Sequence, residues 1–166
     1  MGDSLYQAAV GRARQPVIYR EQGVPDTPEG RFEMICLYMS VLIERLNREG
    51  ETGRAVAQET FDAMFRDLDG ALREMAVGDL SVSKKIKALA SHFYTALEAY
   101  TPAIKEGDAV ALSSALAETP DLDARPNIEA LASGALTWRG GLAECPGEAL
   151  LRGETCVSSP EMSASA

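Results

Sequence analysis

The sequence predicts an all-α protein: a single compact helical domain built around a long αα-hairpin, with a flexible C-terminal tail. Three observations predict it. Apolar residues recur at three- and four-residue spacing over several long stretches, capping residues stand at the ends of those stretches, and no strand-like alternation of useful length occurs. At 166 residues the chain can bury one continuous core without metal or disulfide support, so residues 1–153 form the expected domain. Residues 154–166, ETCVSSPEMSASA, have the composition of a disordered terminus.

The elements follow in order. Asp3 and Ser4 can cap a short helix that Gln15-Pro16 stops near Arg14, and Val17 to Pro28 reads as an ordered loop. Thr27, Pro28 and Glu29 supply an N-cap, an N1 proline and a first-turn acid for a helix to about Arg48. Its apolar positions Phe32, Ile35, Met39, Leu42, Ile43 and Leu46, widened by Tyr38 and Val41, mark it as central. Glu49 to Gly53 reads as a turn, and the next helix runs to about Ala76 with Phe61, Met64, Phe65, Leu68, Leu72 and Met75 on one face. Gly78 is placed to end that helix in a left-handed cap. Ser81 or Asp79 then caps a third long helix to about Tyr100, which Pro102 is expected to kink or interrupt. Gly107-Asp108 breaks and restarts the chain for a short helix to Ala117, and Asn127 caps another reaching Trp138.

Composition excludes several functions. The net charge of -9 and isoelectric point near 4.7 disfavour a nucleic-acid surface, which needs clustered cations to neutralise phosphates. With 46% hydrophobic residues and a mean hydropathy of -0.11, no run approaches the roughly 18–20 apolar residues of a membrane span. Cys36, Cys145 and Cys156 lack CxxC spacing, and their odd number suits three free thiols in a reducing compartment. The N-terminus has no secretory signal, so the chain reads as cytoplasmic. The one histidine, His92, has no local nucleophile elbow and no zinc spacing with the cysteines, so neither a catalytic group nor a cofactor or metal is expected. His92 reads as structural or exposed, and Cys36 as a small hydrophobe within the central helix.

The charges of the hairpin are less generic. Asp62, Arg66, Asp69 and Arg73 lie at i, i+4, i+7 and i+11 opposite the apolar face, a pattern that reads as acid-before-base pairs worth roughly 0.2–0.5 kcal/mol each. Asp69, Arg73, Glu74 and Asp79 crowd the hairpin end with Gly70 and Gly78. Two readings stand for this cluster: a network that locks the hairpin, and a surface that receives a partner. Lys84, Lys85 and Lys87 fall in the first turns of a helix, where the helix dipole disfavours cations. Either the neighbouring acids compensate them, or an anionic partner or lipid headgroup does.

Three stretches carry a resemblance: ARQPVIYREQGVPDTPEGRFEMICLYMSVLIERL, FDAMFRDLDGALREMAVGDLSVSKKIKALASHFY and EAYTPAI. Spanning roughly Leu5 to Ile104, they resemble the ubiquinol–cytochrome c chaperone family. The chain departs from the family at Ile18, where an aromatic is more usual, and at Tyr38, where a His is common. The resemblance implies an all-helical, non-enzymatic assembly factor that binds newly made cytochrome b during biogenesis of the respiratory bc1 complex. It also implies, from mitochondrial relatives, work with a small partner protein near the ribosome exit. Those relatives carry a targeting extension that this sequence lacks, which favours a bacterial-type member at the cytoplasmic face of the inner membrane, in peripheral contact with it. On this reading Asp69, Arg73, Glu74, Asp79, Lys84 and Lys85 form the polar part of the partner-binding surface, and Tyr19, Val24 and Phe32 its apolar contacts. The alternatives are a small-ligand or haem-binding helical protein, with a pocket around His92 or Tyr38, and a ribosome-associated adaptor using the lysines.

Overall fold

The computed structural model describes residues 2–75, 78–119, 122 and 126–156. They form helices α1 (Gly2–Ala13), α2 (Pro16–Arg20), α3 (Pro28–Asn47), α4 (Gly50–Glu74), α5 (Asp79–Glu106), α6 (Ala109–Ala117), α7 (Ile128–Glu144) and α8 (Gly147–Leu151). No strand occurs among the described residues. The all-α expectation holds.

Helix α3 is the axis of the fold, with α1, α4, α5 and α7 packed around it. From Phe32 to Leu46 every residue is buried except half-buried Ile35. A helix buried on all sides has to satisfy its polar side chains from within the protein, because an unpaired buried group costs more than a made bond returns. Ser40 donates back to the Cys36 carbonyl at 2.7 Å, and Glu44 accepts from Arg48 at 2.7 Å. The fully buried Glu33 pairs with Nε2 of His92 on α5. Arg45 reaches furthest. Its guanidinium donates to the carbonyls of Leu142 at 3.0 Å and Cys145 at 2.9 Å, and to Glu49 Oε2 at 2.7 Å. Those carbonyls belong to the last turn of α7, where acceptors lack helical donors and the dipole favours a cation.

The caps at Thr27, Asp108 and Asn127 are those expected, accepting from the N–H groups of Gly30, Ala111 and Ala130. Other expectations fail. Helix α4 starts at Gly50, inside the expected turn, because that residue takes the left-handed φ of 71° and turns the chain alone. Gly78 is extended, with φ -64° and ψ 153°, and precedes α5 as its N-cap instead of closing α4. Pro102 does not interrupt α5, which runs on to a left-handed Gly107. Tyr100, Ala103 and Ile104 are buried there, and their apolar area outweighs the ~3 kcal/mol a helical proline costs. Helix α7 extends beyond Trp138 through Gly140 and Gly141, and α8 follows where none was expected.

The expectation of three free thiols is also overturned. Cys145 and Cys156 form a disulfide, while Cys36 is free and buried. The chain reverses after α8 at Gly153, whose φ is 88°, and this brings the two Cα atoms to 5.6 Å, within disulfide range. Residues 157–166 of the expected tail lie outside the described residues.

Two measurements check these packing arguments. Arg45→Ala should destabilise the protein by about 2–4 kcal/mol in urea unfolding, since it strands two helix-end carbonyls and Glu49. Tyr38, buried against Trp138 with ring centroids 5.7 Å apart, has its phenol pushed by burial up to about 12. Its contribution is complete below the ordinary value of 10.0 and is lost as pH rises through about 12. Alkaline unfolding in that window should therefore weaken in Tyr38→Phe, as followed by Trp138 fluorescence.

Candidate functional site

The hairpin of α4 and α5 grips the body at its middle and extends beyond it at its end. Phe61 stacks with Phe65, Phe93 and Tyr94 at centroid distances of 4.5, 5.3 and 5.1 Å, clasping the two helices. On α4 the last buried residue is Met64; Phe65 and Leu68 are only partly buried against the core. On α5, Phe93 marks the return to the continuous core, and Val82 is buried locally within the hairpin end.

The charged cluster sits on this extension. Arg73 pairs with Asp69 at 2.8 Å, both substantially exposed, and Glu74 is exposed beside them. The outer pair of the expected stripe does not form: Arg66 reaches Asp3 on α1 at 3.1 Å, and Asp62 accepts from Gln58 at 2.9 Å. Lys84, Lys85 and Lys87, three of the four lysines in the chain, all face solvent. Asp79 opens α5, and its side chain lies outside the described residues. Two large apolar side chains are exposed at the same end, Met75 at 68% and Leu80 at 84%. Arg73 and Lys85 are thus exposed at the same end as Met75 and Leu80.

Further along α5 a groove of about 700 Å3 opens against α3. Ile43, Tyr94, Leu97 and Pro102 form its apolar floor, and Glu44, Arg48, Glu98 and Lys105 its charged rim. Pro102 has no N–H, so the carbonyl of Glu98 loses its helical donor beside this groove. Nothing in the chain's hydrophobic pattern marks this site. Its one sequence signal is a proline placed inside an otherwise good helix.

Val24, 2% exposed, and Phe32, 8% exposed, are core residues, so the expectation that they contact a partner gives way to a packing role. Tyr19 is half-buried, and its hydroxyl donates to the Ala13 carbonyl at 2.7 Å. Tyr38 is buried against Trp138, and neither it nor His92 lines the groove. Burial holds the Cys36 thiol well above its ordinary value, which makes it inert. Among the described residues there is no group of three or more His, Cys, Asp or Glu fit to hold a metal, and no helix long and apolar enough to cross a membrane.

Fold and surface together define an all-helical protein with a projecting charged hairpin end and an apolar groove along α5. The model of the family described as ubiquinol-cytochrome C chaperone matches residues 20–157, and the chain belongs to that family. The match includes the C-terminal third, which the sequence motifs left open. In structure the chain is similar to the Cbp3 homolog from Brucella abortus, with a TM-score of 0.77 and 39% identity over 90% of this chain and 84% of that one. It is similar to ubiquinol-cytochrome-c reductase complex assembly factor 1 of Xenopus laevis, 21% identical over 112 residues. The Mus musculus protein of the same description is 24% identical over 104 residues. Those segments are 68% and 63% of this chain but only 56% and 35% of the two relatives.

Substitutions separate core from surface. Phe32→Ala should cost about 3–5 kcal/mol of stability, whereas Lys84→Glu with Lys85→Glu should stay within about 0.5 kcal/mol for each site, both by urea unfolding.

Proposed function

We propose that this protein is an assembly chaperone that binds newly made cytochrome b and assists biogenesis of the bc1 complex, working by binding rather than by covalent chemistry. Membership of the ubiquinol-cytochrome C chaperone family carries the reading. Two further observations support it. The hairpin end presents exposed Asp69, Arg73, Glu74, Lys84 and Lys85 beside exposed Met75 and Leu80, and the same helix α5 borders an apolar groove. A client rich in apolar segments needs apolar reception, and a charged rim supplies register and a route to release. In this reading Leu97, Tyr94 and Pro102 receive the apolar part of the client, and the uncapped Glu98 carbonyl accepts one of its donors. The hairpin end then sets orientation, with Asp79 contributing from the first turn of α5. The protein would work at the cytoplasmic face of the membrane, through partners rather than through a span of its own.

The test is recovery of cytochrome b with the tagged protein from its native membrane. Lys84→Glu/Lys85→Glu combined with Leu97→Asp should lower that recovery about 10-fold or more, the size expected when interface anchors are lost. Deletion of the protein should lower bc1 content. Absence of cytochrome b from the native protein, with normal bc1 after deletion, would contradict the proposal. A ribosome-facing role of the lysines is tested by the same substitutions, which should then abolish co-sedimentation with ribosomes.

A further inference from the structure

The loop between α2 and α3 is the second distinctive stretch of the sequence, and client binding on α5 makes no use of it. Polar side chains converge beside it. Arg14 just after α1, Tyr19 and Arg20 on α2, Asp26 in the loop and Arg31 in the first turn of α3 line an open cavity of about 500 Å3, with Pro16 on its wall. Three guanidiniums and one carboxylate therefore share one space in a chain whose net charge is -9. Asp26 is committed to Arg31 at 2.6 Å. Arg14 and Arg20 have no acidic partner among the described residues.

The frame around these side chains is rigid. The Tyr19 hydroxyl ties α2 to the Ala13 carbonyl of α1, and Thr27 caps α3 by accepting from Gly30. The N–H of Val24 donates to Ile18, and that of Asn127 donates to the Gln22 carbonyl at 2.7 Å. Gly30 is required: a Cβ there would overlap the Pro25 carbonyl oxygen. Gly23 has a φ of 80°, which favours glycine. A frame held this way leaves only the arginine side chains to be ordered when a ligand arrives. The cations also act on one point. Burial pushes the Tyr19 phenol up to about 12, while Arg31 and Arg14 both pull it down and Asp26 adds to the rise.

We propose that this cavity binds a phosphate-bearing ligand, gripped by the guanidiniums of Arg14, Arg20 and Arg31. Guanidinium forks match phosphate oxygens in pairs, and two uncompensated arginines match the charge of a phosphomonoester or diphosphate. The volume exceeds that of a bare ion and falls in the range of small-molecule sites. Its largely charged lining suits a polar headgroup or free phosphate compound rather than an apolar one. The proposal stands apart from cytochrome b binding and does not depend on it.

Two probes test it at about 0.15 M salt, where loose surface electrostatics are screened. Calorimetric titration with inorganic pyrophosphate represents the free ligand. Sedimentation with phosphatidylcholine vesicles, with and without phosphatidic acid, represents the lipid headgroup. Saturable one-to-one binding of pyrophosphate is expected for a free source, and retention on phosphatidic acid vesicles alone for a lipid source. In whichever arm responds, Arg14→Gln/Arg20→Gln should weaken binding about 10-fold or more, and Arg54→Gln, exposed on α4, should leave it unchanged. Both arginines are exposed, so the urea midpoint should hold; should the double variant unfold, Arg20→Gln alone takes its place with an expected loss of several-fold. Binding in neither arm, native affinity in the Arg14→Gln/Arg20→Gln variant, or an equal loss in Arg54→Gln would each overturn the proposal.

Discussion

The burial of α3 from Phe32 to Leu46, Ile35 alone half-exposed, is the constraint on which the rest of the structure depends. A helix surrounded by α1, α4, α5 and α7 cannot leave Glu33, Ser40, Glu44 or Arg45 to water; Ser40 and Glu44 are answered locally, by Cys36 and Arg48, and the other two are answered by neighbouring elements. Glu33 holds α5 through His92, and Arg45 holds the end of α7 through two carbonyls and reaches Glu49 ahead of α4. Gly147 continues the same junction, because a Cβ there would overlap the Glu49 carboxylate. Polar contacts of one buried helix thus tie down α5, the end of α7 and the start of α4.

That arrangement explains why the surface features fall where they do. With α5 anchored to α3 by Phe93, Ala96, Tyr100 and Ile104 and to α4 by the Phe61 clasp, its first turns are left to project with the end of α4. The cations at Lys84, Lys85 and Lys87 therefore face solvent near a helix N-terminus, an arrangement the protein's own fold does not reward. The groove lies between α5 and α3, with Ile43 and Leu97 among its lining, and the proline that borders it removes a donor without breaking the helix.

Much of the fold was legible because its signals are local. Thr27, Asp108 and Asn127 announce helix starts through side chains that reach N–H groups three residues on, and the apolar spacing of α3 already marked it as the centre. Where tertiary contacts decide, local signals misled. Pro102 predicts a kink or interruption of α5, but the helix and its core stripe continue past it at Ala103 and Ile104. Asp62 should have paired with Arg66, but α1 brings Asp3 closer to that arginine. Cys145 and Cys156 read as free until the reversal at Gly153 set them together. The candidate site divides in the same way. The hairpin charges were visible as a cluster, whereas Val24 looked available because sequence does not reveal which side of a loop faces the core, and Phe32 because an apolar residue near a helix start can serve packing or contact alike. The groove and the arginine cavity each assemble from separate helices, so no single stretch displays them.

The central claim is that the outer face of α5 receives newly made cytochrome b, and site-specific photo-crosslinking in cells tests it most directly. A crosslinking residue placed at Tyr94 or at Leu80 should yield an adduct containing cytochrome b during bc1 assembly, while one placed at Glu129, exposed on α7, should not. Adducts absent from both α5 positions, or equally abundant at Glu129, would contradict it.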